Sequence, residues 1–225
     1  MRVFWKLVRY AILIGLIFIT GTVIWAATLQ LPTLNNFEER RALQSTKIYD
    51  RTGEIVLFDF NQDVRRTEVP LEEISDYLQQ AAVAIEDDQF YQHSGVRPQA
   101  ILRAAVANLQ EGGRTQGGST ITQQVVKNAL LTREKSYTRK IKEAILAIRL
   151  ERLLTKEEIL EIYLNESPYG GTIYGAEEAS RAFFDKSASE LTLAESAYLA
   201  ALPQAPTFYS PYGENVESLE RRQNL

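Results

Sequence analysis

Glu86, Asp87 and Asp88 stand consecutively at the end of an apolar run, and Phe90, His93 and Gly95 follow them. Desolvated carboxylates need partners, so a bare acidic triplet ordinarily marks a solvated helix end. At the rim of a cleft the same Glu86 would be suited to abstracting a proton. A second group runs from Gly117 and Gly118 through Ser119, Thr120, Ile121, Thr122, Gln123 and Gln124 to Lys127 and Asn128. Glycines ahead of a hydroxyl-rich helix start leave backbone N–H groups free to hold an anion, helped by the helix dipole. A simple capped helix has the same local signature, and the Gly-Lys-Ser/Thr order of a P-loop is missing. The third group is Arg139, Lys140 and Glu143. On a helix these share a face, either as a surface ion-pair ladder or as a cationic site for pyrophosphate. In the second case the carboxylate would hold the cations in place or help ligate a metal.

The rest of the composition narrows the chemistry. The 225 residues contain no cysteine and one histidine, His93. Disulfides, thiolate sites, cysteine nucleophiles and multi-histidine metal sites are thereby excluded. A net charge of −4 with no basic stripe gives no sign of a nucleic-acid partner. Catalysis must rest on carboxylates, lysines, arginines or hydroxyls.

These groups need elements to hold them. Ile74, Leu78, Ala82 and Ile85 recur at spacings of four and three and predict a helix whose apolar stripe ends at Glu86. Pro98 is expected to open another helix, with Ile101, Leu102, Ala105 and Leu109 on its buried side. Residues 111–118 form a glycine-rich break, and a helix begins among the hydroxyls at Ser119–Leu130. Further helices are expected over Tyr137–Leu154, with Ile141, Ile145, Ile148 and Leu153 on the apolar face, and over Lys156–Leu164, capped by Thr155. Ile159, Leu160, Tyr163 and Leu164 would supply core contacts, and Asn165 would cap the helix end. Ser167–Gly175 reads as a loop, Ala176–Phe184 and Leu193–Leu202 as helices, and the prolines at 203–211 as an irregular segment. Lys47–Phe60 alternates as two short strands about a turn. The domain is therefore mainly α with a small β element at its start.

Ahead of it, Tyr10–Leu29 carries no charge and is about 20 residues long, enough to span a hydrocarbon core. Arg2, Lys6 and Arg9 precede it, and Glu38 and Glu39 follow, which predicts a cytoplasmic N-terminus and an external remainder. A cleaved signal peptide shares the basic start but usually has a shorter apolar region of about 7–15 residues, so a signal anchor is expected. The expected organisation is a cytoplasmic tail at 1–9, a transmembrane anchor at 10–29, a linker at 30–46 and one extracytoplasmic domain at 47–225.

Taken in order, the motifs resemble those of the family 51 glycosyltransferases, the peptidoglycan polymerase modules of class A penicillin-binding proteins and monofunctional transglycosylases. The matching segments are EDDQFYQHSG at 86–95, GGSTITQQVVKN at 117–128, RKIKE at 139–143 and KEEILEIYLN at 156–165. YGGTIYGAEEASRAFF at 169–184 and LPQAPTFYSP at 202–211 extend the match, although relatives often show a more regular glycine spacing around 170–175.

The resemblance implies a lysozyme-like helical lobe and a small membrane-proximal jaw lobe. It implies polymerisation of lipid II onto a growing lipid-linked glycan, with inversion and release of undecaprenyl pyrophosphate. Carried over, Glu86 is the base and Glu143 the second essential carboxylate. Lys127, Arg139, Lys140 and Gln123 or Gln124 would bind the pyrophosphate, with Ser119 and Thr120 also counted as substrate-binding. Asp87 would orient the site or bind a divalent cation such as Mg²⁺, and no organic cofactor is implied. His93 is expected to be a structural partner of the first motif. The implied partners are the lipid-linked substrates, the membrane and other cell-wall synthesis proteins. The chain stops at Leu225 within an expected helix, as a fragment or truncated product would. In bifunctional relatives a transpeptidase domain would follow, but no Ser-x-x-Lys motif occurs here, so penicillin binding is not expected of these residues. Two rivals remain at this level: a lysozyme-like hydrolase of glycan strands and a non-catalytic membrane-anchored scaffold.

Overall fold

The computed structural model describes residues 2–28, 46–49, 51–52, 56–60, 65–110, 117–130 and 137–225. The first stretch is one helix, α1 (Arg2–Thr28), with the exposed apolar side chains of Ile12, Leu13, Ile14, Leu16 and Ile17 along it. Among the described residues, no helix is long and apolar enough to cross a membrane. The expected linker lies outside the described residues except for Thr46.

The expected strand pair forms. Strands β1 (Thr46–Tyr49) and β2 (Val56–Phe60) run antiparallel, Ile48 facing Phe58, with a bulge between Ile48 and Tyr49. Beyond it the chain is mainly helical. In order come α2 (Asp76–Glu86), α3 (Pro98–Gln110) and α4 (Ile121–Val125), which runs into a π-helical turn at Val126–Leu130. There follow α5 (Tyr137–Leu150), α6 (Lys156–Glu166), α7 (Ala176–Phe184), α8 (Leu193–Ala201) and α9 (Val216–Gln223). The core lies where α2 packs along α8, and where α4 packs on α5 and α6. Leu78, Phe90, Ile121, Leu160, Leu164 and Leu199 are fully buried there. Each such side chain contributes roughly 1.5–3 kcal/mol through loss of apolar surface from water.

The stripe expected to lead to Glu86 is present, but Ile74 contributes from the extended residue after the 3-10 turn at Leu71–Glu73 rather than from the helix. Helix α6 follows the expected pattern closely. The Thr155 hydroxyl accepts from the Glu158 N–H, and the Glu158 carboxylate accepts from the Thr155 N–H, a reciprocal cap that satisfies two otherwise free donors. Asn165, expected to cap this helix, lies inside it instead. Its side chain accepts from the Val69 N–H and donates to the Val69 carbonyl, pairing with that backbone as a strand would.

Three further expectations are overturned. Ile101 and Leu102 of α3 are exposed, and the buried positions are Ala100 and Ala104. A Cβ on Gly118 would meet the Ala100 carbonyl at 2.9 Å, so the segment before α4 presses on α3 backbone to backbone and only small residues fit beneath it. The side chains of Ala105 and Leu109 lie outside the described residues. Helix α5 is turned relative to the expected face and stops at Leu150. It buries Glu143, Leu146, Ala147 and Leu150, while Ile141, Ile145 and Ile148 are half-buried and Leu153 is exposed. The apolar count missed this face because it begins with a carboxylate. Finally, Ser167–Gly175 is not only a loop. Strands β4 (Pro168–Gly170) and β5 (Ile173–Tyr174) pair antiparallel, and β3 (Arg65–Arg66) joins β5 in parallel. Pairings of two or three residues leave no periodicity to read.

Candidate active site

Helix α2 ends on Glu86, and the chain turns away at Asp87. The Glu86 side chain is only 5% exposed. The Gln124 amide donates to Oε2, and the Arg222 guanidinium donates to Oε1 at 2.6 Å. A buried carboxylate persists when it is paired and hydrogen-bonded in this way. Behind it are the buried phenols of Tyr163 and Tyr169. Burial pushes both well above the ordinary tyrosine range, and the nearby Glu86 charge pushes them further.

Asp87 points inward. Its Oδ2 lies 2.8 Å from His93 Nε2 and accepts from the Ile121 N–H at 3.1 Å, while Oδ1 accepts from Arg97 at 3.1 Å. His93 Nδ1 accepts from the Gly95 N–H, which assigns the ring proton to Nε2 and makes it the donor to Asp87. Asp87 therefore ties the start of α4 to the first motif. The donor set does not fit a metal ion: N–H groups and a guanidinium already occupy both oxygens. Among the described residues, no group of three or more His, Asp or Glu side chains could hold one.

Gly95 lets this motif reach α5. Its φ is +93°, and a Cβ there would lie 2.7 Å from the Ala147 carbonyl carbon and oxygen. Lys156 fastens the opposite side, donating to the His93 carbonyl at 2.8 Å and to Glu151 at 2.6 Å, with its ammonium 4.4 Å from the Phe90 ring centre.

The second motif divides in two. Thr120 and Gln123 are buried and make the reciprocal cap of α4, and the Thr120 hydroxyl also donates to the Gly95 carbonyl at 2.7 Å. Both are engaged in local structure. Gln124, one position on, turns to Glu86 instead. Ser119 accepts from Lys140 at 2.8 Å, bringing the third motif to the second.

Glu143 is 1% exposed and sits between two cations, with Lys140 Nζ at 2.6 Å and Arg139 Nε at 3.2 Å. Lys140 itself is half exposed, so its ammonium faces solvent as well as Glu143. Lys127 lies in the π-helical turn, a distortion that often accompanies function. Burial lowers its pKa, partly opposed by the charges of Glu143 and Glu86, while Lys140 and Arg139 lower it further. A polar cavity lies in front, lined among others by Glu86, Asp88, Arg103, Gly117 and Ser119.

The structure thus brings Glu86 to Gln124, Glu143 to Arg139 and Lys140, and Lys140 to Ser119, with Lys127 under the influence of both carboxylates. It turns Asp87, Thr120 and Gln123 towards the framework. One partner was missed from sequence: Arg222 lies 136 positions from Glu86, and nothing local marks it.

A buried, oriented carboxylate beside a cluster of ammonium and guanidinium groups is the arrangement of a group-transfer site that accepts a proton and holds an anionic leaving group. The transglycosylase family model matches residues 53–225, and the chain belongs to that family. It is 43% identical over 192 residues to penicillin-binding protein 1A of Aquifex aeolicus, covering 85% of this chain and 26% of the relative. It is 41% identical over 181 residues to penicillin-binding protein 1F of Bacillus subtilis, covering 80% and 25%. Identity to penicillin-binding protein 1A of Escherichia coli is 42% over 193 residues, covering 86% and 22%. The chain spans about a quarter of the length of these curated relatives.

Proposed function

We propose that this chain is a peptidoglycan glycosyltransferase that polymerises lipid II into β-1,4-linked strands with inversion. Glu86 takes the proton from the acceptor sugar hydroxyl as that oxygen attacks the anomeric carbon of the donor. The bond to the pyrophosphate breaks, and its electron pair leaves with undecaprenyl pyrophosphate. One displacement inverts the centre, so no covalent glycosyl-enzyme is required. Pyrophosphate leaves without a protonated acid because Lys127, Arg139 and Lys140 stabilise its developing charge. Glu143 holds Arg139 and Lys140 in one place. Asp87, whose oxygens are already engaged, is given a framework role in this reading, and no step is assigned to a divalent cation.

The single observation that carries this reading is the buried Glu86 carboxylate, paired yet lining a polar cavity that Ser119, the hydrogen-bond partner of Lys140, also lines. A hydrolase has no pyrophosphate to hold and no use for that cluster. We further propose that the uncharged, about 20-residue stretch Tyr10–Leu29 attaches the chain to the membrane with a cytoplasmic N-terminus. The helical domain would then be an extracytoplasmic, lysozyme-like lobe. The exposed Ile101, Leu102 and Val106 of α3 would belong to a jaw that meets the lipid. Lipid II and the growing glycan would be its substrates and other cell-wall synthesis proteins its partners.

The test is incubation of the purified protein with lipid II. Growth of glycan chains, abolished in Glu86→Gln, is expected. Shortening of preformed strands without polymer formation would overturn the reading in favour of hydrolysis.

A further inference from the structure

Arg222 is the residue whose position the proposed chemistry leaves unexplained. It lies near the end of α9, a helix anchored by buried Leu219 and by the Gln223 amide, which donates to the Ala194 carbonyl of α8 at 3.0 Å. Three contacts fix its guanidinium. Nε donates to the Ala201 carbonyl at 3.1 Å, Cζ lies 5.5 Å from the Tyr209 ring centre, and a terminal N–H donates to Glu86 Oε1 at 2.6 Å. The side chain is 11% exposed. An ion pair that served only to dock α9 could use any surface acid, whereas this one uses the candidate base.

We propose that Arg222 is a positioning residue for Glu86, making α9 part of the catalytic apparatus. A planar guanidinium held at two other points has little freedom, so it orients the carboxylate with less entropy loss than a lysine would. With Gln124 on the other oxygen, the plane of the carboxylate is set. Each oxygen keeps a lone pair, and Glu86 lines the cavity where the acceptor hydroxyl must arrive. A misplacement of about 1 Å in such a group can cost on the order of 100-fold in rate. The inference rests on Glu86 being the base.

The experiment compares the full chain with Arg222→Ala, Arg222→Lys and Glu86→Gln, measuring lipid II turnover, KM and Tm. For Arg222→Ala, kcat is expected to fall about 10- to 100-fold with KM within about twofold. Added guanidinium ion should recover part of that loss, which no purely structural role of the side chain predicts. Arg222→Lys should be intermediate, because one ammonium cannot reach the Ala201 carbonyl and Glu86 together with the same geometry. Turnover within twofold of the parent in Arg222→Ala overturns the proposal, as does a loss that guanidinium leaves unchanged while Tm falls in parallel. If Arg222→Ala does not fold, Arg222→Lys decides, and parent-like kcat in it overturns the proposal. An active Glu86→Gln sinks the base reading itself. An inactive Glu86→Gln beside a parent-like Arg222 variant sinks only this inference.

Discussion

Gln124 donates its side-chain amide to Oε2 of Glu86, joining α4 to the last residue of α2 across 38 positions of sequence. Its neighbour Gln123 is spent on the cap of α4. Replacing Gln124 by Leu removes one of two partners from a buried carboxylate. We expect kcat to fall at least about tenfold, with a stability loss of about 1–3 kcal/mol. Gln123→Leu should lower stability by about 1 kcal/mol through the lost cap and change kcat less. Parallel kinetic and melting measurements on the two variants separate the roles, and equal effects on kcat would contradict the division.

Lys140 bridges Ser119 and Glu143 while remaining half exposed. Glu143 is buried but keeps Arg139 at 3.2 Å, so Lys140→Ala should cost on the order of 1–3 kcal/mol of stability, as for other half-paired buried carboxylates. Donor affinity should weaken at least about tenfold, since a charge-assisted contact to phosphate is lost. Binding of a lipid pyrophosphate, measured beside a melting curve, checks this. A large fall in Tm without weaker binding would assign Lys140 to the framework.

Lys127 has a pKa below the ordinary lysine value because burial disfavours its charged form. Its ammonium is fully present well below that pKa and is lost as pH rises through it. Donor binding should therefore weaken on the alkaline side earlier than an ordinary lysine would allow. Lys127→Arg, which stays charged throughout, should move that limb to higher pH. A KM–pH profile unchanged by this substitution would remove Lys127 from pyrophosphate binding.

Gly95 holds the first motif against α5 with a positive φ and no room for a side chain. Gly95→Ala adds a Cβ into the Ala147 backbone and strains φ. Destabilisation of about 2 kcal/mol or more is expected, with loss of activity at temperatures where the variant is still folded. Chemical denaturation measures the first and lipid II turnover the second; a parent-like variant would show that the backbone can yield there.

Chelation tests the metal expectation. With Asp87 held by His93, Arg97 and the Ile121 N–H, turnover should remain within about twofold in excess chelator. Abolition by chelator, restored by Mg²⁺, would place a cation among the donors despite this pairing.

Helix existence was legible where residues interact with close sequence neighbours. The Thr155 cap and the Leu78–Ala82 stripe are local, and both occur as expected. The facing of helices was less legible. Periodicity reports that apolar residues share a side, but not what covers that side. Hence Ile101 and Leu102 of α3 are exposed, and the buried face of α5 is led by Glu143.

Sequence by itself determined the chemistry that is open to this protein. With one histidine and no cysteine, the ordered acids, glycines and cations at 86–88, 117–128 and 139–143 leave carboxylate and cation catalysis. Only the tertiary structure decided which of those side chains meet. It chose Gln124 over Gln123, turned Asp87 inward, and brought Arg222 to Glu86 from 136 positions away. The reason is physical. Residue type sets proton affinity, charge and hydrogen-bonding capacity, whereas the partner of a buried carboxylate is set by how distant helices pack, which no local spacing encodes.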